Sequence, residues 1–361
     1  MHADSNTLSM IAQLADAFGP SGFEDDVLTV ARQYAQGLGN IEEDCLRNLY
    51  IHRKENTGNK PVIMLDVHSD EVGFMVHSIK PNGTLRFVSI GGWNISSLPG
   101  SAVLVRNADG DFIPGTIACK PVHFMSAQER AGGNTPAISS FVIDVGACSY
   151  EEAVEKFRIR IGEPIVPATR FQYDADRDVM HGKAFDCRIG CAVLLESLRR
   201  LEGEELPCDV VGVFSSQEEV GDRGAQVSVR HVKPDVAIVL EGCPADDTFT
   251  ESYAIQTALK KGPMLRFMDT TIICSPRFQR YALDLAEEQG LTVQTSVREG
   301  GGNDGAVINT ALDGIPVIVS GVPVRYIHSP NCITSYTDFE HSVRFTCALL
   351  RALTPEQIKK F

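Results

Sequence analysis

No hydrophobic run in this chain is long enough to span a bilayer. The opening residues, MHADSNTLSMIAQLADAFGP, have no basic stretch followed by an apolar core, so no secretory signal is read there and a cytoplasmic location is expected. Basic residues are scarce: 33 Lys and Arg stand against 47 Asp and Glu, for a formal net charge of −14. A nucleic-acid backbone or an anionic membrane surface calls for the opposite balance, so neither is expected as a partner. Internal repeats and low-complexity segments are absent. Ten cysteines are present, but without a metal or redox spacing. The closest pair, Cys187 and Cys191, is spaced CxxxC. In a cytosolic chain such thiols serve as small buried apolar groups.

What is present is enough to fold. Hydrophobic residues make up 43% of 361, which suits about two average domains. Residues 6–18 and 23–37 carry helical spacing and are split by the turn cluster GPSG. NLYIHRK and PVIMLDVH read as strands, the second running into HSDEVG. From 74 to 165 the texture becomes short and β-rich: TLRFVSI, SAVLVRN, DFIPGTIAC and SFVIDVG alternate with turn signals such as PNG, ADGD and AGGNTP. That spacing predicts a small β-barrel or sandwich, interrupted by one helix-like stretch, YEEAVEKF. Past 165, strands and helices alternate: AFDCRIGCAVLLESLRRL, DVVGVFSS, DVAIVLEG, FQRYALDLAEEQG, TVQTSVRE, AVINTALDG and IPVIVSG. The fold class expected is α/β, a central mixed sheet with helices on both faces. Residues 1–73 and 166–361 would form it, and 74–165 would be an inserted β-barrel domain.

Chemistry-bearing residues gather at predicted strand ends. His68 and Asp70 share a strand face as HxD, which suits an imidazole ligand oriented by a carboxylate, or equally a satisfied core histidine. Asp186 precedes a helix, where it could cap or could bridge two cations. Glu218 and Glu219 follow the run DVVGVF. Adjacent residues diverge there, so one can ligate while the other stays free as a base, and the bland alternative is a solvated loop. Glu241 ends DVAIVL, and His328 lies in VRYIHSP beyond another apolar segment. Carboxyl ends of strands are where open α/β sheets hold ligands. Oxygen and imidazole donors suit divalent zinc, cobalt or manganese. His123 in KPVHF reads as a surface histidine. The run GGGNDG, 300–305, fits a dinucleotide fingerprint but lacks the acid expected about 20 residues later. A glycine-rich loop equally lets backbone approach a peptide.

VHSDEVGF, KAFDCRIGCAVLLE, SSQEEVGDRGA, GGGNDGA and VPVRYIHSP, in that order, resemble the tetrahedral metalloaminopeptidases, which include glutamyl and deblocking aminopeptidases. The resemblance implies a zinc-peptidase-type α/β domain interrupted by a PDZ-like dimerisation barrel, with dimers assembling to a dodecamer. It implies two metal ions per subunit: His68 and Glu241 on one, Glu219 and His328 on the other, Asp186 bridging. Glu218 would be the general base acting on a metal-bridged water, and Asp70 would orient His68. Gly301, Gly302, Asn303 and Asp304 would lie against the peptide substrate. Two departures stand out: Glu241 replaces the family's usual Asp, and GGGNDGA replaces GGTDA. The expected activity is hydrolysis of the amino-terminal residue of short peptides. A deacylase using the same metal pair, and a weakly active assembly homologue, remain as alternatives.

Overall fold

A computed structural model describes residues 3–127, 130 and 137–361. The AGGNTP turn lies outside the described residues. Helices α1 (Ser5–Asp16) and α2 (Asp25–Ala35) open the chain, followed by strands β1 (Gly39–Glu43), β2 (Leu49–Arg53) and β3 (Val62–His68). The chain then leaves the sheet for six strands: β4 (Gly73–Ile79), β5 (Leu85–Ile90), β6 (Ala102–Arg106), β7 (Phe112–Ala118), β8 (Val142–Asp144) and β9 (Pro164–Pro167). These close into an antiparallel barrel in the order β4-β5-β8-β7-β6-β9. Phe74, Leu85, Val103, Val105, Ile117 and Ile143 fill it. YEEAVEKF contributes a π-helical turn, Glu152–Lys156, in place of an α-helix.

On its return the chain adds β10 (Gln172–Asp174), β11 (Val179–Gly182), helix α3 (Phe185–Arg200), β12 (Asp209–Ser215), α4 (Arg223–Val232), β13 (Val236–Pro244) and β14 (Met264–Met268). It ends with α5 (Pro276–Glu288), β15 (Gln294–Val297), α6 (Gly305–Asn309), β16 (Val317–Val324), β17 (Cys332–Thr334), α7 (Tyr336–Ala352) and α8 (Pro355–Ile358). The main sheet runs β1-β2-β12-β3-β13-β16-β14-β15 and is mixed, with β12, β3, β13 and β16 mutually parallel at its centre. Strand alternation splits the core into two layers. Ile63, Leu65, Val210, Ile238 and Ile318 face one layer, while Met64, Val211, Val239 and Val319 face the other. That is why these strands read as continuous apolar runs: both faces are covered. A small sheet, β10-β11-β17, flanks the whole. No helix among the described residues is long and apolar enough to cross a membrane. All ten cysteines are unpaired, seven of them buried.

The parallel register brings four carboxyl-terminal strand ends level. Ser215 pairs with His68, Asp66 with Val239, and Glu241 with Gly321. Helix α3 lies tightly on β13. A Cβ at Gly242 would stand 2.3 Å from the Phe185 carbonyl oxygen, and one at Gly190 would stand 2.6 Å from that of Leu240. Glycine at both positions lets the start of α3 settle over the sheet edge.

Behind that edge lies a buried ion cluster. Lys183 donates to both Glu71 oxygens at 2.6 and 2.8 Å, and the Arg188 guanidinium stands 3.4 Å from the same carboxylate. Arg188 also donates to the Leu14, Ala17 and Gly19 carbonyls. The cluster ties α1, the HSDE loop and α3 into one unit. Replacing Glu71 by Ala leaves two buried cations without their carboxylate, and should cost about 3–5 kcal/mol. Denaturant unfolding of Glu71→Ala tests this, and a loss below about 1 kcal/mol would show that the cluster does not hold these elements together.

Candidate metal centre

Four strand ends and one helix start supply the polar groups. His68 closes β3, and Asp70 lies just beyond it. Glu218 and Glu219 form a 3-10 turn after β12, entered through Gln217 at φ 56°. Glu241 lies within β13, and His328 follows β16. Asp186 does not cap α3. Its backbone is extended (φ −83°, ψ 106°), the Asp186–Cys187 peptide bond is cis, and its side chain turns to the sheet edge.

The distances bring all of these together. Asp186 Oδ1 is 3.1 Å from His68 Nε2, and Asp186 Oδ2 is 3.3 Å from His328 Nε2, so a single carboxylate spans two imidazoles. Glu241 Oε2 is 3.6 Å from His68 Nε2, and Glu219 Oε1 is 3.4 Å from His328 Nε2. The longer side chain at 241 therefore reaches the same imidazole as Asp186. Glu218 Oε2 stands farther off, 3.9 Å from His68 Nε2. Asp70 supports the arrangement from behind. Its Oδ1 is 3.4 Å from His68 Nδ1, and its carboxylate accepts from Ser21 Oγ at 2.6 Å and from the backbone N–H groups of Glu218 and Glu219 at 3.0 and 3.1 Å. The same carboxylate thus positions a ring and the paired glutamates. The barrel closes one side: a Cβ at Gly92, beside Trp93, would stand 3.4 Å from His328 Nδ1, in ordinary contact.

Crowded acids dominate the electrostatics. Burial, then repulsion from Glu219, Glu241 and Asp186, pushes Glu218 well above the ordinary carboxylate range, with His68 opposing. Burial and Asp186 do the same to Glu219. Burial also acts on Asp186, but bonds to His328 and His68 outweigh it and hold that carboxyl well below its ordinary value. For His68, burial disfavours the charged ring, yet Glu218 and its other anionic neighbours hold it well above the ordinary imidazole value. For His328, burial likewise opposes a rise driven by Asp186.

This donor set fits divalent cations. Glu219 Oε1 and Glu241 Oε1 are buried without a hydrogen-bond partner. Asp186, Glu219 and His328 each offer an atom within 4.8 Å of the others, as do His68, Cys187 and Glu241. Cys187 is the weaker donor: its thiol bonds the Leu240 carbonyl at 3.0 Å, and burial raises it well above the ordinary thiol value. The acids open on a cavity of about 480 Å³, walled on the far side by Arg266, Arg298 and Gly300–Gly302.

The glycine loop divides. Gly301 and Gly302 line the cavity, whereas Asn303 and Asp304 are buried beneath it. Asn303 donates to Asp269 at 2.9 Å and accepts from Gly305 N–H, so it braces the loop. Asp304 faces Asp66, and burial followed by that neighbour raises it well above the ordinary range. Asp66 itself, fully buried in β3 and accepting from Ser215 Oγ at 2.6 Å, is raised by burial to about 7. Sequence reasoning passed over Asp66, although an acid inside the apolar run VIMLDVH was the visible signal. It also passed over Asp222, on the cavity wall, raised by burial to about 6. His123 is exposed on the barrel.

Comparison with known proteins places this geometry. Residues 48–345 match the family model described as M42 glutamyl aminopeptidase. A glutamyl aminopeptidase of Lactococcus lactis is 34% identical over 352 residues, covering 96% of this chain and 97% of that one. A TET aminopeptidase crystal structure from a marine sediment Thaumarchaeota archaeon is 36% identical with a TM-score of 0.93, covering 99% of each chain. A Pyrococcus horikoshii TET1 peptidase, described as able to assemble into a tetrahedron or a large octahedral shell, is 26% identical with a TM-score of 0.86, covering 96% of this chain and 100% of that one.

The charge crowding has a pH signature when metal is stripped. Raised carboxyls hold protons in the fold that the unfolded chain releases, so their stabilisation is lost as pH rises through the folded values. Raised imidazoles act in the same direction, while depressed Asp186 and Asp70 matter only at lower pH. Chelator-treated protein should therefore melt at progressively lower temperature from about pH 4.5 to 7, the span set by Glu24, which burial raises to about 7, with Glu218 and Glu219 raised in the same direction. Added zinc should reverse the trend at the upper end. A melting temperature that climbs with pH across this span in the stripped protein would contradict it.

Proposed function

Since this chain belongs to the M42 glutamyl aminopeptidase family of metal-dependent peptide-bond hydrolases, we propose that it removes the amino-terminal residue of short peptides, with Glu218 as general base beside two divalent cations. His68 and Glu241 would hold one ion, Glu219 and His328 the other, and Asp186 would serve both. Zinc or cobalt suits this donor set best, with manganese next. The ions, when bound, supply Lewis acidity, acidifying water and polarising the scissile carbonyl. The observation that supports this reading most is the Asp186 carboxylate, split 3.1 and 3.3 Å between two imidazoles.

The chain's own groups divide the remaining work. Asp70 fixes the His68 ring and the Glu218–Glu219 turn together. Glu218, farther from the imidazoles than its neighbours, faces the cavity, where its carboxylate takes a proton from the attacking water and delivers it to the departing amine nitrogen. The acidic rim receives the substrate's terminal ammonium. Gly301 and Gly302 leave space for peptide backbone along the wall. Beyond them lie Arg266, paired with Asp269 at 3.0 Å, and Arg298, paired with Asp246 at 3.3 Å; their Nε groups, which have no hydrogen-bond partner, favour an acidic amino-terminal side chain. The chain forms a homo-oligomer in this reading, supported by its similarity to the shell-forming TET1 peptidase.

Glu218→Gln should retain both metals by elemental analysis while turnover falls about 10²–10⁴-fold. Full activity in that variant would remove Glu218 from the mechanism. Across a panel of amino-acid anilides, kcat/KM should favour glutamyl over lysyl substrates by about tenfold or more. Equal rates would reject the arginine wall as a selector, and preferential cleavage of N-acyl amino acids would reject the aminopeptidase reading itself.

A further inference from the structure

A second group of metal-type donors lies outside the cavity. Glu42 on β1, His52 on β2 and His231 in the last turn of α4 each direct one ligand atom to a common point, all within 4.8 Å of one another. Glu42 Oε2 is 3.5 Å from His231 Nε2 and 3.8 Å from His52 Nε2. These separations are too long for hydrogen bonds. Neighbouring donors around a tetrahedral zinc with bonds of about 2.0–2.2 Å lie roughly 3.3–3.6 Å apart, close to the two separations from Glu42. From these three side chains we infer a peripheral zinc site, distinct from the cavity centre, with a fourth position open to water.

Two further observations favour an ion over a solvated ion pair. His52 Nε2 is shielded from solvent and has no hydrogen-bond partner, an arrangement that leaves an imidazole nitrogen unsatisfied unless something else binds it. The remaining contacts orient the donors as supporting groups do around a metal. Asn40 Nδ2 donates to Glu42 Oε1 at 2.9 Å, leaving Oε2 for the shared point. The His231 ring packs on Tyr50 at 4.3 Å between centroids, and the Tyr50 hydroxyl is anchored on Asp44 Oδ2 at 2.6 Å.

The location gives the site a purpose. His52 pairs with Val211, four residues before Ser215, which pairs with His68, so the two centres are offset by roughly 13 Å along the sheet. Strands β1 and β2 form the sheet edge, and α4 begins three residues after the Glu218–Val220 turn. A cation bound here pins the far end of that helix to the edge strands. The role is structural: it steadies the platform that carries the paired glutamates and takes no part in peptide cleavage.

The test is local, so its failure leaves the aminopeptidase reading untouched. Chelator-stripped protein is re-equilibrated with micromolar zinc, desalted and assayed for zinc per protomer, alongside Glu42→Gln, His52→Gln and His231→Gln. Each variant should bind one zinc fewer than the parent while keeping peptidase activity, which also shows that it folds. In the parent, zinc should slow diethylpyrocarbonate modification of His231, followed by peptide mass spectrometry, about tenfold, and Glu42→Gln should abolish that protection. Unchanged zinc content in all three variants, or equal His231 modification with and without zinc, overturns the proposal. So does protection that appears only at millimolar zinc, which marks an adventitious ion.

Discussion

Four carboxylates meeting at one buried sheet edge form the constraint around which this protein is arranged. Asp186, Glu218, Glu219 and Glu241 repel one another at the floor of a cavity where burial weakens solvent screening. Two imidazoles offset part of that charge, and the partnerless oxygens of Glu219 and Glu241 show that the polypeptide alone does not satisfy the rest. In the proposed reading divalent cations would offset the imbalance, and the same charge would make the cavity receptive to a peptide's ammonium end.

The scaffold accounts for why such a site survives in the fold. Parallel register fixes His68, the Glu218–Glu219 turn, Glu241 and the approach to His328 at one level. Helix α3, seated closely through Gly190 and Gly242, adds Asp186 from above. The ion cluster of Glu71, Lys183 and Arg188 anchors the loop that carries Asp70. Rigid elements hold charged groups that would otherwise separate, which is the condition for a preorganised site. The barrel interrupts the sheet without disturbing this register, and it reaches the centre through Gly92 alongside His328.

Much of this was readable in the residues because it rests on periodicity. Apolar runs bounded by turns gave the central strands, and an acid or imidazole at the end of such a run stood out at His68, Glu218, Glu219 and Glu241. Asp186 was different. A carboxylate before a helix reads as a cap, and only the direction of its side chain, toward His68 and His328, separates the two roles. Loop residues carry no period, so nothing in GGGNDG showed that Gly301 and Gly302 face the cavity while Asn303 and Asp304 turn inward. Asp66 was hidden for the opposite reason: inside a strong strand it looked like a polar interruption, although its partner, Asp304, is more than two hundred residues away. Glu42, His52 and His231 could not be linked from sequence at all, because strand pairing and a helix end bring them together.

Diffraction at the zinc absorption edge from zinc-soaked crystals probes the central claim most directly. The account predicts two anomalous peaks at the cavity floor, one touched by His68 and Glu241, the other by Glu219 and His328, with Asp186 touching both and Glu218 touching neither. A cavity without anomalous signal, or a zinc ligated by Glu218, would contradict it.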